Sequence, residues 1–202
     1  MEERKNILVS NYAAFIPYEK DARRYKIVTD ENNNEVGIEV SGEVTNFSAV
    51  NFNGLKFDKK SYDECIREYF EKNELNIPID LMHQRDMQHL AGVARKFVKK
   101  TDSVQVVAFI PKGVYFYNLI KLLIDNGVLQ GFSNMGYMTD WEYDRETDAC
   151  IVKSFQLISI SLVDVPADTA GKFVSNATDF EGFNFTKEPV TEQGMFNCLG
   201  LF

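Results

Sequence analysis

The side chains best suited to move a proton near neutral pH are the chain's two histidines, both within Met82-His83-Gln84-Arg85-Asp86-Met87-Gln88-His89. An imidazole can take a proton and give it back, provided a hydroxyl or thiol partner is within reach. Ser133 lies in Gly131-Phe132-Ser133-Asn134-Met135-Gly136, a short glycine-flanked stretch that follows a helical pattern. Taken alone, a histidine at a strand end is ordinarily structural, and a serine in such a stretch ordinarily bonds its own backbone in a turn. The chemical reading makes Ser133 a nucleophile whose proton His83 accepts, with nearby backbone N–H groups stabilising an oxyanion. The stretch is not a GxSxG elbow. Metal binding is set aside, because His83, His89 and Asp86 have no cysteine or second carboxylate at a typical ligand spacing.

The elements that must hold these residues can be read from periodicity. Ile77, Ile79, Leu81 and His83 alternate with Pro78, Asp80 and Met82, which predicts a strand carrying the histidine on its aliphatic face. Tyr62, Cys65, Ile66, Tyr69 and Phe70 form one apolar stripe, so a helix is expected after Asp58 as N-cap. A second stripe, Phe116, Leu119, Ile120, Leu123 and Ile124, predicts a helix that Gly127 can end in the left-handed conformation. Hairpins are expected from Tyr25–Thr29 with Val36–Val40 around Asp30-Glu31-Asn32-Asn33-Asn34, and from Gly92–Lys99 with Ser103–Ile110. Ile7–Ile16 reads as an early strand, and Val152–Val165 as a buried strand that stops at Pro166.

A chain of 202 residues, 45% hydrophobic with 16 Phe and 9 Tyr, is long enough for one sizeable core and short for two domains. One domain over 1–172 is expected, followed by a tail, 173–202, where no periodicity persists. The net charge of −8 disfavours a nucleic-acid partner or an anionic membrane. Cys65, Cys150 and Cys198, odd in number and far apart, fit a reducing compartment and a packing role. The opening MEERKNILVSNY has no apolar segment of signal-peptide length, and no run is long enough to cross a bilayer, so a soluble intracellular protein is expected.

Four ordered segments carry a resemblance. They are Phe47-Ser48-Ala49-Val50-Asn51-Phe52-Asn53-Gly54-Leu55-Lys56-Phe57; Pro78-Ile79-Asp80-Leu81-Met82-His83 with Gly92-Val93 after it; Leu122 to Tyr137; and Leu157 to Asp168. In that order the chain resembles the prohead (capsid maturation) serine proteases of tailed bacteriophages, which are related in fold to herpesvirus assemblins. The resemblance implies an α+β fold: a mostly antiparallel, β-barrel-like core with a few surrounding helices. It makes His83 the general base and Ser133 the acylated nucleophile of a serine endopeptidase that needs no cofactor. The family's third member, a Glu or a His, falls at Ser159, where a hydroxyl can orient the imidazole without supplying charge. Ser161, on the same strand face by parity, and His89 or Asp86, near in sequence, are the alternatives.

The implied substrates and partners are scaffold and major capsid protein, inside a procapsid in the host bacterial cytoplasm, with a homodimer by analogy to the herpesvirus enzymes. The tail after Phe173 would be a scaffold-binding or self-cleaved segment. The missing acidic or histidine third member favours a second reading, a catalytically inactive capsid-assembly module; retention of both His83 and Ser133 weighs against it.

Overall fold

The computed structural model describes residues 7–14, 24–51, 53–72 and 76–164, with backbone only for 7–14 and 70–72. Pro166 and the tail expected over 173–202 lie outside the described residues. In chain order the elements are β1 (Ile7–Ala14), β2 (Lys26–Thr29), β3 (Glu35–Asn46), β4 (Leu55–Phe57) and α1 (Lys59–Ile66). A π-helical segment, Arg67–Lys72, extends α1. Then come β5 (Pro78–Leu81), β6 (Leu90–Lys99), β7 (Ser103–Pro111), α2 (Tyr117–Asp125), β8 (Gly131–Asp144) and β9 (Ala149–Val163).

These nine strands form one mixed, mostly antiparallel sheet in the order β1-β8-β9-β5-β6-β7-β3-β2, with β4 paired to β9 off that path. β9 is the spine. Its β-branched and aliphatic run pairs antiparallel with β8 over nearly its whole length, while its other edge takes β4 and β5 in parallel. The sheet does not close by pairing its end strands, β1 and β2. Instead the long β3 passes against β1 and β8.

The two helices form where the stripes predict. Asp58 caps α1 by accepting from the Ser61 N–H at 3.0 Å. Tyr62, Cys65 and Ile66 are buried by this helix, and Tyr62 meets Phe47, Phe57 and Phe155 ring to ring. α2 ends at Gly127, whose φ of 69° is the left-handed value that glycine tolerates. Among the described residues, no helix is long and apolar enough to cross a membrane.

Both expected hairpins are present, as β2–β3 and β6–β7. Gly92 is needed in the second, because a Cβ there would lie 2.1 Å from the Phe109 carbonyl oxygen. Two local readings need correction. Ser133 is not in a turn: Gly131 and Gly136, which look like turn punctuation, are strand residues of β8. The strand expected through His83 stops at Leu81, and a tight turn carries the histidine.

Candidate active site

Register builds the site. Asp80 of β5 pairs with Ser161 of β9, and Ser161 pairs with Ser133 of β8, so three polar side chains stand in one row across adjacent strands. All three are fully buried. The residues flanking each of them, Ile79, Ile160, Leu162 and Phe132, alternate to the opposite face and are buried in the core.

His83 reaches this row from the turn that ends β5. Gln84 N–H donates to the Leu81 carbonyl at 2.9 Å, and the two residues between, Met82 and His83, have φ of 52° and 60°. Two successive left-handed residues are the arrangement of a type I′ turn, usually given to Asn and Gly. Side chains with a Cβ pay roughly 1–2 kcal/mol each to adopt it. Neighbouring bonds hold the strain: Met82 N–H donates to the Leu162 carbonyl at 3.0 Å, and Leu81 N–H to the His89 carbonyl at 3.0 Å. The turn breaks strand alternation, which brings the imidazole to the face of Asp80 rather than leaving it with Ile79 and Leu81.

The ring is bonded at both nitrogens. Ser133 Oγ lies 2.7 Å from His83 Nε2, and Ser161 Oγ lies 2.9 Å from His83 Nδ1. Ser161 Oγ also donates a hydrogen bond to Asp80 Oδ1. Burial pushes the His83 imidazole below its ordinary value by disfavouring the cation, and the charge of Asp80 opposes that shift. A half-buried ring that is neutral at neutral pH, with one nitrogen facing a hydroxyl, can accept a proton from it.

Ser159, the residue expected as third member, is fully buried two positions along β9, opposite Met135. Its hydroxyl has no hydrogen-bond partner among the described residues, and the serine at His83 Nδ1 is Ser161. His89 and Asp86 are occupied with each other: His89 Nδ1 lies 2.7 Å from Asp86 Oδ1, which also accepts from the N–H groups of Gln88 and His89. This staples the loop that follows His83 and holds the Asp86 carboxyl below its usual range. Sequence reasoning passed over Asp80, an acidic residue three before the histidine in an otherwise apolar strand.

No family model matches the chain. Over 58 residues, 29% of this chain, it is 43% identical to the probable capsid maturation proteases of Lactococcus phages p2 and SK1. The match spans 32% of the relatives' own length. In fold it is similar to the bacteriophage T4 capsid assembly protease gp21, with a TM-score of 0.62 at 17% identity, over 79% of this chain and 99% of that one. The chain is therefore similar to phage prohead proteases in part of its sequence and, independently, in its fold. That is the class of protein its four ordered segments resemble.

Proposed function

We propose that this chain is a serine endopeptidase of phage capsid maturation, with Ser133 as nucleophile, His83 as general base and Ser161 as the group that orients the imidazole. The observation that carries the reading is the 2.7 Å bond between Ser133 Oγ and His83 Nε2, made while Nδ1 is held by another hydroxyl. Ser133 Oγ attacks the scissile carbonyl carbon as its proton passes to Nε2, and the carbonyl electron pair moves to oxygen. On collapse the C–N bond breaks and the leaving amine takes that proton. Water, deprotonated by His83 in turn, releases the acyl group. Because Ser133 is buried, a peptide reaches it only after the groups over it move.

The relatives' names, capsid maturation and capsid assembly protease, support capsid proteins as substrates, and scaffold protein inside an assembling shell belongs to the same proposal. Self-cleavage within 173–202 and a homodimer belong to the same proposal. The passage of β3 against β1 and β8 supports a barrel-like, assemblin-like core. The test is co-expression with the major capsid protein and scaffold encoded beside this chain, comparing wild type with Ser133→Ala by gel and mass spectrometry. Fragments that vanish in the variant are expected; identical uncleaved proteins from both chains would sink the proposal.

A further inference from the structure

The geometry points to Asp80 as a positioning residue: through Ser161 it fixes which nitrogen of His83 carries the proton, and so leaves Nε2 free to act as the base. This inference rests on the protease reading for its kinetic consequence, though not for its structural one.

The argument is one of donors and acceptors. A serine hydroxyl has a single proton, and an ionised carboxylate can only accept. Ser161 Oγ bonds both Asp80 Oδ1 and His83 Nδ1, so a proton given to Asp80 leaves only lone pairs facing the imidazole. Nδ1 must then be the protonated nitrogen, donating to Ser161, and Nε2 must be the acceptor that meets Ser133 Oγ. Every bond in the chain Ser133, His83, Ser161, Asp80 thus points the same way, and the carboxylate sets the direction. Without it, Ser161 could turn its proton toward Nδ1. The ring would then hold its proton on Nε2, the tautomer that cannot accept from Ser133.

Placement supports this role. Asp80 is fully buried, and its Oδ2 has no partner among the described residues, a costly arrangement for a group that did nothing there. Its charge acts on His83 from the strand that leads into the turn. β8 and β9 offer the neutral Ser133 and Ser161, while Asp86 and His89 on the following loop bond each other. The same carboxylate would stabilise the imidazolium formed during attack, which answers the missing acidic third member: the charge sits one hydroxyl further back, on β5.

The test compares Asp80→Asn with the parent chain in two independent readouts. In full-length chains carrying Ser133→Ala, so that no turnover intervenes, ring 15N NMR of His83 is expected to show Nδ1–H in the parent. With Asp80→Asn it should show a shift toward Nε2–H and a lower titration midpoint, since a charge that favours the imidazolium has gone. With Ser133 intact, Asp80→Asn should lower kcat by about tenfold or more with KM little changed, and move the acid limb of kcat/KM to lower pH. Ser161→Ala cuts the same chain and should repeat the tautomer change and the fall in kcat, without the drop in midpoint because the Asp80 charge stays. Ser161→Thr, which keeps a hydroxyl, should restore the parent tautomer and kcat. A folded Asp80→Asn with unchanged tautomer and midpoint overturns the inference, even if kcat falls. Should Asp80→Asn not fold, the tautomer and kcat of Ser161→Ala decide. A wild type that cleaves nothing while Asp80→Asn still changes the tautomer removes the protease reading and leaves the relay standing.

Discussion

Ser133 and Asn134 are adjacent in β8, both fully buried and both polar, yet they belong to different machines. Ser133 faces the row shared with Ser161 and Asp80 and meets a half-exposed imidazole. Asn134 points the other way into the core. There its Oδ1 accepts from the Tyr62 hydroxyl of α1 at 2.8 Å, and its Nδ2 donates to the Val44 carbonyl of β3 at 2.8 Å. That asparagine ties helix, β3 and β8 together where the sheet lacks closure by strand pairing. Strand alternation lets one dipeptide supply a reactive group to one face and a clasp to the other.

The separation can be broken from either side. Ser133→Ala should cost about 10^3-fold or more in kcat/KM with thermal stability little changed, read by peptide cleavage and calorimetry. Adding His83→Ala to it should cost little further, because residues that act as a unit are not additive. Asn134→Ala should do the reverse. It strands the Tyr62 hydroxyl and the Val44 carbonyl in the core, a loss of about 2–4 kcal/mol in denaturant unfolding, while cleavage per folded molecule survives. An Asn134→Ala chain of wild-type stability would show that the clasp holds nothing.

A smaller effect sharpens the chemical side. Burial depresses the His83 imidazole, and the base must be neutral to accept a proton, so depression extends activity toward acid. The acid limb of kcat/KM is expected at a midpoint below the ordinary imidazole value of 6.5. A midpoint above it would mean that the charge of Asp80 outweighs burial.

The elements around this site were legible in the chain because each rests on local chemistry: the Asp58 cap, the two helical stripes, and the polar links between paired strands. What one strand must know about its neighbour was not. Asp80 sits at a polar position of an alternating strand and so reads as outward-facing. Only the register that sets Ser161 and Ser133 beside it turns that face into a buried polar row. Gly136 reads as a turn, although it marks close strand approach: a Cβ there would lie 2.3 Å from the Gln156 carbonyl oxygen. The turn at Met82-His83 has neither Asn nor Gly to announce it, since bonds from β9 and the His89 backbone impose its left-handed geometry.

The smallest expected effect discriminates most finely, because Ser159 and Ser161 share a strand, a face and complete burial, and parity cannot choose between them. Their hydrogen bonds can. Ser161 bridges Asp80 and His83, whereas the Ser159 hydroxyl is unsatisfied among the described residues. Removing a buried hydroxyl that makes no bond relieves a desolvation cost, so Ser159→Ala should change stability by no more than about 1 kcal/mol, in the favourable direction. It should leave kcat within about twofold, since it touches neither end of the proton path. Cleavage by Ser159→Ala at the level of Ser161→Ala would return the orienting role to Ser159 and require the imidazole to turn along β9 when substrate binds.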